Sequence, residues 1–116
     1  MKRTVVQTSQ FSKTLDNLIK KRKLNNEDYT LFEYSLITDP EQGDLVKETG
    51  GIRKTRLRSS KKGKSGSFRV YYYDITVKEK LYLLVLFAKN VKEDLSSEEK
   101  KWCRSYIEHL KKELKV

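Results

Sequence analysis

The stretch TGGIRKTRLRSSKKGKSGSFRVYYY, residues 49–73, decides how the whole chain is read. It opens on a glycine pair and closes on three tyrosines, with a Lys-, Gly- and Ser-rich centre between two runs of alternating character. Residues 52–59 and 67–75 are therefore predicted to form a hairpin whose tip is the polar centre. Side chains alternate between the two faces of a strand. Lys54, Arg56 and Arg58 share one face of the first strand, and Arg69, Tyr71 and Tyr73 share one face of the second. Leu57, with Phe68, Val70 and Tyr72, takes the other face, which must be covered by helices. The four cations and two tyrosines are expected together on an open face.

These 25 residues carry eight cations (Arg53, Lys54, Arg56, Arg58, Lys61, Lys62, Lys64 and Arg69) and no Asp or Glu. The whole chain has 26 Lys and Arg against 16 Asp and Glu, a net charge of +10. Without the segment, 18 basic and 16 acidic residues remain. The charge is thus a basic site on a near-neutral scaffold, and it points to a polyanionic partner.

The flanking sequence supplies that scaffold. Residues 3–8 read as a short strand, and Ser9 as a cap for a helix with Phe11, Leu15, Leu18 and Ile19 on one side, ending in the basic run 20–23. Asn25-Asn26-Glu27-Asp28 restarts the chain with a cap and first-turn acids. A second helix, with Tyr29, Phe32, Leu36 and Ile37 apolar, stops at Asp39-Pro40. Residues 41–51 read as a loop. Residues 81–88 are nearly all apolar, as in a strand buried on both faces. Ser96-Ser97-Glu98-Glu99 is a capping box, and Trp102, Cys103, Tyr106, Ile107, Leu110 and Leu114 form the apolar stripe of a last helix. The expected fold is one α+β domain spanning residues 1–116, in the order β-α-α-β-β-β-α, with a curved, antiparallel-rich sheet and helices on one face.

Composition narrows the chemistry. One Cys excludes a disulfide framework and a Cys-rich zinc site, and one His excludes a two-histidine relay. Residues 1–6 lack the apolar stretch of a signal peptide, and no apolar run has the length of a spanning helix, so a soluble cytoplasmic protein without membrane contact is expected. No metal or other cofactor is expected. Cations interleaved with aromatics on a sheet suit single-stranded RNA: cations hold phosphates, and rings stack on unpaired bases. Cutting RNA through its own 2′-hydroxyl needs a base, an acid and positive charge on the phosphorane. His109, in the last helix, is expected to be structural. Trp102 and Cys103 are expected in the core, and Arg53 in a structural or edge role. Glu93 and Asp94 are expected to serve the loop and cap before the last helix. Lys61, Lys62 and Lys64 read as a solvated loop that attracts RNA.

The chain resembles the RelE/HigB-like toxins of type II toxin–antitoxin systems, most closely the HigB branch. The residues that carry the likeness are Gly43-Asp44, Gly50-Gly51-Ile52-Arg53-Lys54-Thr55-Arg56-Leu57, Phe68-Arg69-Val70-Tyr71-Tyr72-Tyr73, and Phe87-Ala88-Lys89-Asn90 with Lys92-Glu93-Asp94-Leu95-Ser96. The resemblance implies an endoribonuclease that cuts mRNA on the ribosome by metal-independent 2′-hydroxyl transesterification. It also implies a neutralising HigA-like antitoxin, whose helix-turn-helix would make any contact with operator DNA. Lys54, Arg56 and Arg69 fall where active-site cations of the family lie, and Lys89 and Lys92 where further functional residues lie. Two positions depart from the RelE pattern: Asn90 replaces an arginine, and Ser96 replaces a tyrosine base. Tyr71, Tyr73, Lys54 and Lys89 are then the candidate bases; a lysine crowded by cations gives up its proton more readily. Arg58, Lys61, Lys62, Lys64 and Lys92 are expected to hold RNA. A non-catalytic RNA-binding module, or an inactive toxin within a repressor complex, is the alternative.

Overall fold

The computed structural model describes residues 3–60 and 67–116. Its elements are β1 (Thr4–Gln7), α1 (Ser9–Lys20), α2 (Asn26–Thr38), β2 (Asp44–Leu45), β3 (Arg53–Arg58), β4 (Ser67–Ile75), β5 (Lys80–Ala88) and α3 (Ser97–Leu114). A 3-10 turn, Thr76–Lys78, joins β4 to β5. The strands form one sheet in the order β1-β5-β4-β3-β2, in which β1 runs parallel to β5 and the other pairs are antiparallel. The α+β class, the hairpin and the element order agree with the sequence reading. The two-residue β2 is an addition, lying where a loop was expected.

The helices do not all lie on one face. Phe11, Leu15 and Leu18 of α1 and Phe32 and Leu36 of α2 pack with Leu57, Phe68, Val70, Tyr72, Leu81 and Leu83 on one side of the sheet. Cys103, Ile107 and Leu110 of α3 pack with Ile52, Tyr71, Leu84, Val85 and Phe87 on the other. The reason lies in β5. Every residue from Leu81 to Phe87 is buried, and a strand apolar on both faces needs a layer on each. The register also slips between Tyr71 and Tyr72, so that Tyr71 pairs Val85 while Tyr72 pairs Leu83. Leu84 is the extra residue of a β-bulge, and both it and Val85 lie in the cluster under α3.

Local chemistry fixes the joints. Thr8, not Ser9, caps α1. Its hydroxyl accepts from the Phe11 N–H at 3.1 Å and donates to the Leu84 carbonyl at 2.8 Å, tying the helix start to β5. Asn25 caps α2 by accepting from the Asp28 N–H. Ser96 and Glu99 make the expected reciprocal capping box on α3. Trp102 departs from expectation: it is 38% exposed and stacks on Tyr106 at 5.4 Å, while the stripe that enters the core is Cys103, Ile107 and Leu110. Burial pushes the Cys103 thiol up to about 11, which leaves it inert as a nucleophile.

The segment before β3 is pinned by one phenol. Tyr72 Oη donates to the Pro40 carbonyl at 2.8 Å and accepts from the Gly43 N–H at 2.9 Å. Gly43 is required by close approach, since a Cβ there would sit 2.8 Å from both the Lys54 carbonyl oxygen and Tyr72 Oη. Arg53 reaches back to the Gly43 and Glu41 carbonyls at 2.7 and 3.2 Å, the structural role expected of it. Tyr72→Phe leaves the buried Gly43 N–H without its partner. We expect a loss of about 1–3 kcal/mol in urea unfolding; a variant as stable as the parent would show that this phenol does not hold the loop.

Candidate active site

The β3–β4 register sets Arg56 directly opposite Arg69 and Lys54 opposite Tyr71. Directly opposed side chains start with Cβ atoms about 4.5–5.5 Å apart, and like charges so placed repel. The four residues share the face that α3 partly covers. Arg56 is exposed and Arg69 half-buried, and Arg69 Nε is buried without a hydrogen-bond partner among the described residues. Two arginines opposed in register, one with a buried and unsatisfied Nε–H, present donors of the kind that phosphate oxygens accept from.

Tyr71 does not lie on an open face. Its ring is fully buried in the α3-side core, 5.8 Å from the Phe87 ring. Its hydroxyl donates to Asp94 Oδ1, which also accepts from the Leu95 N–H at 2.8 Å. Burial, then the bond to Asp94, pushes the phenol far above its ordinary value, so it stays protonated at neutral pH. The Tyr71 bond, and after it the Leu95 N–H and Lys54, holds the Asp94 carboxyl below the usual range. Asp94 Oδ2 faces Lys54 Nζ at 4.0 Å, with both side chains partly exposed. Tyr71 thus braces a carboxylate that orients Lys54 beside the arginine pair. Sequence reasoning gave Asp94 a loop role. The Leu95 bond agrees with that, but the meeting with Tyr71 joins residues 23 apart in sequence and leaves no local signal.

The remaining candidates scatter around this group. Tyr73 packs against the α3-side core and Gly51, and its register partner is Tyr82. It lies two residues beyond Tyr71, the register partner of Lys54, and so is a diagonal neighbour of Lys54 at the same offset as Arg69, on the other side. Lys89 is exposed just past β5, its N–H bonded to the Ser67 carbonyl at 3.2 Å, near the start of β4. Lys92 pairs with Glu99 at 2.5 Å and lies over the Phe87 ring at 4.8 Å. Arg58 is exposed at the end of β3, opposite Ser67. Lys61, Lys62 and Lys64 lie outside the described residues. His109 is exposed and lies 3.3 Å from Glu113, while Ser96 is occupied by its cap.

The chain as a whole resembles known proteins. A family model described as the RelE toxin of the RelE/RelB toxin–antitoxin system matches residues 5–115. Among solved structures, a double arginine-to-alanine mutant of the E. coli toxin RelE in its free state is similar in fold. It shares 18% sequence identity and a TM-score of 0.50, over 80% of this chain and 90% of that one.

Two measurements check the electrostatics. Without RNA, Arg56→Ala relieves the repulsion from Arg69, and its stability should equal or exceed the parent's by up to about 1 kcal/mol, the scale of a cross-strand pair. A clear loss would mean that Arg56 has a structural partner. A carboxyl held low in the fold stabilises it at pH above the unfolded value, and that contribution is lost as pH falls through the folded value. Asp94 should therefore titrate by NMR below an ordinary aspartate, and Tyr71→Phe should move it back up. An unchanged titration in that variant would remove Tyr71 as the brace.

Proposed function

The chain belongs to the RelE toxin family of toxin–antitoxin systems, and from that premise we propose that it is a ribosome-dependent mRNA endoribonuclease that stops translation in the cytoplasm. The observation that carries the reading is the opposed Arg56–Arg69 pair with Lys54 beside it. Within the family, the Gly50–Leu57 motif and the block from Lys89 to Ser96 favour the HigB branch. Its neutralising partner is then a HigA-like antitoxin whose helix-turn-helix carries any contact with operator DNA.

In the proposed reaction the mRNA phosphate lies on Arg56 and Arg69. The ribose 2′-oxygen forms a bond to phosphorus, and Lys54 in its uncharged amine form, held beside Asp94, takes its proton and becomes the ammonium that the Asp94 carboxylate faces. The bond from phosphorus to the 5′-oxygen breaks, and Lys89 supplies the proton to that leaving group. Arg56 and Arg69 balance the charge that grows on the phosphorane. Arg58, Lys92 and the lysines 61, 62 and 64 draw the RNA backbone to this face. Tyr71 acts through Asp94.

No metal step is proposed. The segment that builds the face has eight cations and no carboxylate. Asp94, brought to it from outside, has one oxygen bonded to Tyr71 and Leu95 and the other facing Lys54. The cut should leave a 2′,3′-cyclic or 3′-phosphate and a 5′-hydroxyl. Mapping the ends of mRNA cut on ribosomes decides the point, since a metal-activated water would leave a 3′-hydroxyl and a 5′-phosphate.

Arg56→Ala and Arg69→Ala should each cost about 3–4 kcal/mol of transition-state stabilisation, the scale of a lost oxyanion donor, with the fold intact. Folded variants that cut at the parent rate would show that another face does the chemistry. Induction without antitoxin should arrest growth in the parent and not in Arg69→Ala; normal growth with soluble parent protein would contradict the toxin reading.

A further inference from the structure

Lys92 stands at the cation face with its charge already engaged. Its ammonium lies 4.8 Å from the centre of the Phe87 ring, and Phe87 is the register partner of Arg69. Side chains of directly opposed residues start about 5 Å apart. Lys92 therefore sits over a ring that neighbours Arg69, whose buried Nε has no hydrogen-bond partner among the described residues.

The partner of Lys92 is Glu99, at 2.5 Å. Glu99 is also the carboxylate of the α3 capping box. The oxygen that accepts from Lys92, Oε1, accepts from the Ser96 N–H at 2.9 Å, and Ser96 Oγ accepts from the Glu99 N–H at 3.1 Å. The helix start thus fixes the carboxylate, and the carboxylate fixes the lysine. Burial pushes the Glu99 carboxyl up, but the bonds from Lys92 and the Ser96 N–H outweigh it and hold the carboxyl below its ordinary range. The two side chains keep 36% and 22% of their surface exposed, so a phosphate that approaches the ammonium also meets the carboxylate. A lysine and a glutamate in contact sum to no net charge. RNA affinity grows with each cation that neutralises a phosphate and releases its counterion, and a paired lysine supplies little of that.

We infer that Glu99 is a positioning residue that restrains the RNA grip of this face: it holds Lys92 over Phe87 and withholds its charge until a phosphate competes for it. This rests on the endoribonuclease reading and adds to the same site a control on how tightly it binds. The capping box accounts for Glu99 in full when only the sequence is read, which hides this second role. The two roles separate by substitution. Glu99→Gln keeps a side-chain oxygen for the Ser96 N–H, as a capping box allows, and removes the charge that engages Lys92.

The test is binding, by fluorescence anisotropy over a range of salt, to a single-stranded RNA oligonucleotide 2′-O-methylated throughout so that it cannot be cut. Glu99→Gln should bind about fivefold more tightly than the parent at low salt, the effect of one unit charge a few ångströms away in water. Its affinity should also fall more steeply with salt, by about 0.7 in the log–log slope. A cap alone gives neither change. Lys92→Met should cost little in the parent and about fivefold in Glu99→Gln, where the lysine is free. On ribosomes the gain from Glu99→Gln should appear in KM and not in kcat, as for binding shared by ground and transition states. The parent itself gives a further readout that needs no variant: the Glu99 carboxyl, followed by NMR, should titrate higher once the oligonucleotide is bound, because Lys92 leaves it for phosphate. Equal affinity and slope in Glu99→Gln, an equal cost of Lys92→Met in both backgrounds, or a Glu99 titration that RNA does not move overturns the inference; mRNA still cut on ribosomes then leaves the endoribonuclease reading standing. A folded parent that neither binds the oligonucleotide nor cuts mRNA on ribosomes overturns both.

Discussion

The register between β3 and β4 is the constraint on which the rest depends. It sets Arg56 against Arg69 and Lys54 against Tyr71 on one face, and Leu57 against Phe68 and Thr55 against Val70 on the other. The charged face gains nothing from this pairing, since opposed arginines repel. The other face enforces it. Leu57, Phe68, Val70 and Tyr72 are almost wholly buried, and a slip of one residue would turn such a strand's buried set outward and bring arginines onto the core face, Arg56 or Arg58 from β3 or Arg69 from β4. Full burial of an apolar side chain of this size contributes about 1.5–3 kcal/mol, which exceeds the repulsion it overrides. The core thus holds two like charges opposite each other on the sheet.

The third helix completes the face without closing it. Its capping box starts the helix at Ser97, so that the preceding Asp94 and Leu95 lie over Tyr71. Cys103, Ile107 and Leu110 cover the apolar half of the sheet face, while Arg56 and Arg58 remain exposed beyond it. Burial and function thereby divide one face. Tyr71 goes to the core and lends its hydroxyl to Asp94, and Lys54 stands at the boundary between the two halves.

Much of this was legible in the sequence because it is local. The hairpin, the capping box, the Asn25 cap, the doubly buried β5 and the parity that groups Lys54, Arg56 and Arg69 all follow from spacing and residue type. What escaped was tertiary. Burial of β5 on both faces demanded a second helical layer, yet periodicity alone could not assign α3 to it. The bulge at Leu84 turns two consecutive residues to one side, which alternation cannot foresee. Thr8 took the cap from Ser9 because its hydroxyl also bonds β5, and Trp102 left the core to stack on Tyr106. Tyr71 shares the parity of the cations, but helix α3 decides whether that position is open or covered. Asp94 entered the site only through the same fold-level contact.

The central claim is that Arg56 and Arg69 together hold the phosphate to be cut. Its most direct test is a structure of the protein on a ribosome whose mRNA carries a 2′-O-methyl group at the cleavage position, which blocks attack but keeps the phosphate. The account predicts that phosphate within hydrogen-bonding distance of both guanidiniums, with Lys54 beside the blocked 2′-oxygen. A phosphate bound elsewhere, with the arginine pair left facing solvent or ribosomal RNA, would contradict it.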